Sequence, residues 1–94
     1  MLKKLDPILH SELRLAVMSL LISLTKAEFT YLKEQTNATA GNLSVQITKL
    51  EDVGYITVEK GYKGKMPQTI CTISKKGILA FEQYVNDLKE YLNM

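Results

Sequence analysis

At Gly54 the hydrophobic period of the chain changes from 3.6 residues to 2, and few small folds accommodate the order this produces. Upstream, Leu43, Ile47 and Leu50 recur at helical spacing, and Gly54 is placed to end that helix in a left-handed conformation. Downstream, "YITVE" (55–59) and "QTICTIS" (68–74) alternate and are rich in β-branched residues, which predicts two strands. The segment between them, "KGYKGKMP", reads as a hairpin loop, so the hairpin spans about 55–73. Ser74 then caps a last helix over 75–92. Ile78, Phe81, Val85, Leu88 and Leu92 give that helix an apolar face, which Ala80, Tyr84 and Tyr91 widen.

The first half is helical by the same criteria. Asp6-Pro7 is a good start signal, with Asp as N-cap and Pro at the first helical position, and it predicts a helix over 7–24. That helix is apolar nearly all round, so it is either central or shared with a partner. Lys3 and Lys4 before "LAVMSLLISL" imitate a secretory signal, but Asp6, His10, Glu12 and Arg14 intervene and no small-residue cleavage site follows. The run is also far short of the ~20 apolar residues a membrane span needs, so a buried helix of a cytoplasmic protein is expected. "LTKAEF" is a short connection with room for a strand residue or two. A second helix over 27–36 carries Phe29 and Leu32, "TNAT" forms a turn, and Thr39 caps a third helix over 39–53. One domain over 1–94 is expected, of the α+β class but mainly helical, with about four helices and one hairpin.

The third helix poses the functional question. Thr39, Ala40, Gly41, Asn42, Ser44, Val45 and Thr48 are small or short, and only Lys49 among them and their flanks is cationic. A major groove admits a helix whose contacting side chains permit close approach. Asn42, Ser44 and Thr48 suit base edges or phosphates, and the Val45 and Thr48 methyls suit a thymine methyl. The same face also suits packing on another protein.

Charge placement matters more than the net +2. Between 55 and 77, Lys60, Lys63, Lys65, Lys75 and Lys76 stand against Glu59 alone, whereas the last helix has Lys89 against Glu82, Asp87 and Glu90. A basic hairpin beside a short-sided helix is what phosphate straddling requires, with Tyr62 at its tip adding a groove or phosphate contact. Lys-rich hairpins also serve as solubilising edges.

Other chemistry has little support. The lone Cys71 makes no internal disulfide, and no CxxC or Cys/His cluster supplies metal ligands, so no cofactor or metal is expected. Ser44 has no base within helical reach, and His10 is expected to be structural, so no catalytic residue is assigned. Arg14 is expected to pair with a carboxylate, and Cys71 to pack on a half-buried strand.

"LDPILHSELRLAVMSLL", with His10 and Arg14, and "FTYLKEQTNATAGNLSVQITKLEDVGYITVEK", with Phe29 and Leu32, carry a resemblance completed by "GKMPQT" and "ISKKGILAFEQYV". Over nearly its full length the chain resembles small winged helix-turn-helix transcriptional regulators related to the MarR and ArsR repressors, especially stand-alone winged helix DNA-binding domains. The resemblance implies a recognition helix over 40–50, a wing over 60–67, binding of double-stranded DNA, and a homodimer through the first and last helices. Gln68 departs from the pattern, because a basic residue is usual before Thr69. The ArsR metal ligands have no counterparts here.

The wide apolar arc of the last helix also favours a two-fold partner over a core of its own. Leu15, Met18, Ile22, Tyr84, Leu88 and Tyr91 are the expected dimer residues, and the region around Tyr84 and Tyr91 is where an effector would be sought. Expected DNA contacts are Thr39, Ala40, Gly41, Asn42, Ser44, Val45, Thr48 and Lys49, with Lys60, Tyr62, Lys63 and Lys65 from the wing. The alternative is a winged-helix protein-interaction module that binds no DNA.

Overall fold

The computed structural model describes residues 2–93. Four helices and a three-stranded antiparallel sheet follow in the order α1 (Glu12–Leu24), β1 (Lys26–Glu28), α2 (Phe29–Thr36), α3 (Ala40–Asp52), β2 (Ile56–Lys63), β3 (Met66–Ile73) and α4 (Lys75–Leu92). This is a winged helix-turn-helix.

The first helix starts later than the Asp6-Pro7 signal predicts. Asp6 does cap a turn, accepting the Ile8 N–H at 2.8 Å, but residues 7–11 form turns and Ser11 takes extended backbone angles before α1 begins. The break is held from outside: the second Asp6 oxygen accepts the Tyr55 hydroxyl at 2.5 Å, and Arg14 Nε donates to the Ile8 carbonyl at 2.6 Å. Leu9, which the turn directs inward, is fully buried. Desolvation, reinforced by the bond to Asp6 and by its charge, pushes the Tyr55 phenol up to about 12.

Val17, Met18 and Leu21 of α1 meet Leu32 of α2, Leu43, Ile47 and Leu50 of α3, and Ile56, Cys71 and Ile73 of the sheet in one core. Burial, with a smaller contribution from Glu51, pushes the Cys71 thiol up to about 11, so it behaves as an inert packing residue. Thr25 ends α1 at φ 72°, donating its N–H to Leu21 O at 2.7 Å and accepting from Ile73 N at 2.9 Å. That corner swings the chain straight into β1, which pairs with β3 so that the sheet order is β1-β3-β2.

The wing is longer and its turn tighter than a 60–67 loop. Strand pairing runs out to Lys63↔Met66, leaving Gly64-Lys65 as a two-residue turn with Gly64 at φ 64°. Pro67 is tolerated because ladder alternation turns its nitrogen away from β2, towards an edge that β1 does not reach.

Ser74 knots the two ends of the hairpin to α4. Its hydroxyl donates to Gly54 O at 2.6 Å and accepts the Gly77 N–H at 3.0 Å. Gly77 is obligatory here: a β-carbon at that position would lie 2.1 Å from the Tyr55 carbonyl oxygen. Beyond it, α4 directs Ala80, Phe81, Tyr84 and Leu88 against the core. His10 Nδ1 lies 3.0 Å from the Tyr84 hydroxyl, joining the N-terminal turn to this helix.

Candidate nucleic-acid interface

Three residues bury α3, Gln46 is half-buried, and the rest of the helix is outward. Leu43, Ile47 and Leu50 anchor it, while Ala40, Gly41, Asn42, Ser44, Val45, Thr48 and Lys49 are exposed. Thr39 caps the helix, accepting the Asn42 N–H at 3.2 Å. Gly41, Ser44, Val45, Thr48 and Lys49 line one shallow hollow, whereas Asn42 stands on the flank of the helix and lines a separate hollow with Ser11, Ala16, Thr36 and Gln46. The Thr48 hydroxyl donates back to the Ser44 carbonyl at 3.0 Å, which leaves its oxygen outward as an acceptor and its methyl free.

Gly41 is informative because nothing in the fold asks for it. A β-carbon there meets no atom within 4 Å, and glycine within a helix costs about 0.5–1 kcal/mol relative to alanine. The contrast with Gly77 is direct: one glycine makes room inside the protein, and the other leaves room outside it.

Ladder alternation divides the wing residues between two faces. Lys60 and Tyr62 share the face of Ile56 and Val58, which looks towards α3, and Lys60 lines a groove with Ser44, Thr48, Glu51 and Thr69. Lys63 takes the opposite face, and Lys65 sits in the turn. The four wing residues therefore do not form a single surface, and only Lys60 is brought beside the short face of α3. Tyr62 and Met66 stand exposed near the tip. Gln68, at the place where a base is usual, donates its side-chain amide to Glu28 Oε1 and so ties β3 to the end of β1.

Arg14 has no carboxylate partner. Its guanidinium donates instead to the Ile8 carbonyl and to Gln46 Oε1, two neutral oxygens. The sequence carries only a weak signal for Gln46: four residues after Asn42, it is within side-chain reach of it.

The expected dimer residues separate into three groups. Met18 is 0% and Tyr84 4% exposed, so both belong to the chain's own core and have no surface to offer a partner. Leu15 and Leu88 pack partly against that core. Ile22 is exposed, and Tyr91 is exposed while donating its hydroxyl to Lys3 O at 2.7 Å. The phase of α4 explains the difference: the line through Gly77, Ala80, Tyr84 and Leu88 turns inward, leaving Ile78, Leu79 and Leu92 outside at 37%, 59% and 73%.

No helix among the described residues is long and apolar enough to cross a membrane. Residues 13–92 match the family model of the winged helix DNA-binding domain. An uncharacterized protein of Methanocaldococcus jannaschii is 39% identical over 82 residues, which cover 86% of this chain and 88% of that protein. A solved transcriptional regulator homologue from Pyrococcus horikoshii OT3 superposes with a TM-score of 0.86 at 28% identity, over 92% of this chain and 85% of that one. An ArsR family transcriptional regulator shares the fold, with a TM-score of 0.66 at 24% identity over 93% of this chain and 90% of that one. With a winged helix whose third helix and wing open onto one groove, and a family match across nearly every element, the chain belongs to the winged helix DNA-binding domain family.

Proposed function

We propose that this protein is a cytoplasmic transcriptional regulator that binds double-stranded DNA as a homodimer. Each protomer lays α3 in a major groove, with Thr39, Ala40, Gly41, Asn42, Ser44, Val45, Thr48 and Lys49 against phosphates and base edges. The wing, with Lys60 and Tyr62 foremost and Lys63 and Lys65 at its end, follows the adjacent backbone or minor groove. Gly41 carries this reading: a helix-weakening residue in open space, on a short-sided face beside a lysine groove, suits a surface that a rigid polyanion must approach closely. The homodimer draws its support from Ile22, Ile78, Leu79, Tyr91 and Leu92, an apolar set on α1 and α4 that one protomer leaves exposed. Two-fold symmetry then calls for a palindromic site with half-sites about one helical turn, ~10 bp, apart.

Fluorescence anisotropy with labelled genomic duplex fragments at two salt concentrations tests the reading. Binding that tightens at the lower salt is expected. Absence of duplex binding at both would sink it and return the α3 face to a protein partner.

A further inference from the structure

The side-chain hydrogen bonds on the flank of α3 that faces α1 run in one direction. Arg14 on α1 donates from Nη1 to Gln46 Oε1, and Gln46 Nε2 donates to Asn42 Oδ1 at 3.1 Å. The Asn42 backbone N–H is already taken by the Thr39 hydroxyl. A guanidinium holds only donors, so the amide that meets it must present its oxygen. Gln46 therefore has its NH2 left for Asn42, and Asn42 must in turn present its oxygen inward. Arg14 is itself locked by its second bond, from Nε to the Ile8 carbonyl at 2.6 Å, so the start of the relay does not swing.

We propose that Arg14 and Gln46 are positioning residues that set the polarity of Asn42, so that this exposed side chain meets DNA through its Nδ2 donors alone. The inference rests on α3 lying in the major groove. It has a specific consequence for base choice. Two-point recognition of adenine by asparagine needs the amide oxygen to accept from N6 while the nitrogen donates to N7. With Oδ1 turned back to Gln46, Asn42 instead suits acceptor-rich edges: guanine O6 and N7, thymine O4, or a phosphate oxygen.

Gln46→Glu inverts the relay without removing it. A carboxylate still accepts from Arg14, but it also requires a donor from Asn42, whose amide must then turn over and present Oδ1 to the groove. The outward chemistry of Asn42 changes from donor to acceptor, which suits adenine N6 or cytosine N4. Arg14→Met, in contrast, removes the fixed end and leaves Gln46 free to take either orientation.

The test is selection of duplexes from a randomised DNA library by the wild-type protein and both variants, together with hydrogen exchange of the side-chain amides in the free protein. The wild type is expected to select guanine or thymine at one position per half-site. Gln46→Glu should shift that position to cytosine or adenine by roughly three- to tenfold, the worth of one hydrogen bond, with the other positions unchanged. Arg14→Met should flatten the same position. In free wild-type protein, the Gln46 Nε2 hydrogens should exchange more slowly than those on Asn42 Nδ2. Identical preferences in wild type and Arg14→Met, or in wild type and Gln46→Glu, would overturn the proposal, as would protection of the Asn42 amide in place of Gln46. If the wild type selects no sequence, the DNA reading fails instead, and the exchange pattern still decides the polarity of the relay.

Discussion

Replacing Gly41 with alanine separates the stability of α3 from its use. The added β-carbon meets nothing within 4 Å, so no overpacking offsets the gain in helix propensity. Glycine inside a helix costs about 0.5–1 kcal/mol relative to alanine, and the first-turn position of Gly41 suggests the lower figure. A domain of this size moves by about 4–8 °C in Tm per kcal/mol, so Gly41→Ala should melt about 2–4 °C higher. DNA binding should move the other way. A methyl group on the approaching face holds the helix back, and displacing one charge-assisted hydrogen bond to phosphate costs about 1.5 kcal/mol, roughly tenfold in affinity. Circular dichroism melts and anisotropy titrations on the same preparations measure both. A higher Tm with unchanged affinity would refute close approach at Gly41, and a lower Tm would refute the claim that its surroundings are open.

Three further outcomes follow from the geometry. Lys60→Ala should weaken binding to all duplexes and reduce the salt slope by about one unit, whereas Lys63→Ala, on the opposite face of the wing, should change it less; the reverse ranking would place the other face on DNA. Gly77→Ala should cost about 3 kcal/mol in urea unfolding, because the new atom would fall 2.1 Å from the Tyr55 carbonyl oxygen; a neutral result would contradict that packing. Tyr55 has its folded pKa raised to about 12 by burial and, secondarily, by Asp6, so the stability linked to its protonated form is complete below pH 10 and lost as pH rises from 10 to 12. Urea midpoints measured across that window should fall less steeply in Tyr55→Phe than in wild type, and parallel curves would remove Tyr55 from the linkage.

Much of this fold is legible in the residues because local signals and burial agree. Leu43, Ile47 and Leu50 define the buried side of α3 by spacing alone, and the same residues are its buried set in three dimensions. The start of α1 misleads because Asp6-Pro7 satisfies the rules for a helix N-terminus but caps only one turn; Tyr55, Arg14 and the burial of Leu9 then impose a break that no local signal announces. The wing turn was available in "KGKM", where glycine at the first central position of a two-residue hairpin is a known signature, but the surrounding lysines and Pro67 give the segment the composition of a loop.

The surface is harder to read than the core. Alternation along β2 already separates Lys60 and Tyr62 from Lys63, yet a charge count over the hairpin merges them. On α4 the apolar arc is wider than one face, and periodicity does not say which part of it meets the core. Gly77 settles the phase, since only a residue without a side chain can lie against the Tyr55 carbonyl, and Tyr84 follows it inward. The Arg14–Gln46–Asn42 relay joins residues 32 positions apart, which no local pattern reports.

The central claim is that one surface, the short face of α3 with the inner side of the wing, receives duplex DNA. Backbone amide shifts recorded while the isotope-labelled protein is titrated with a selected duplex test it residue by residue. The largest changes are expected at 39–49 and at Lys60 and Tyr62, with the outward face of α4 quiet towards DNA. Changes concentrated on Ile78, Leu79 and Leu92, with 39–49 unmoved, would contradict it.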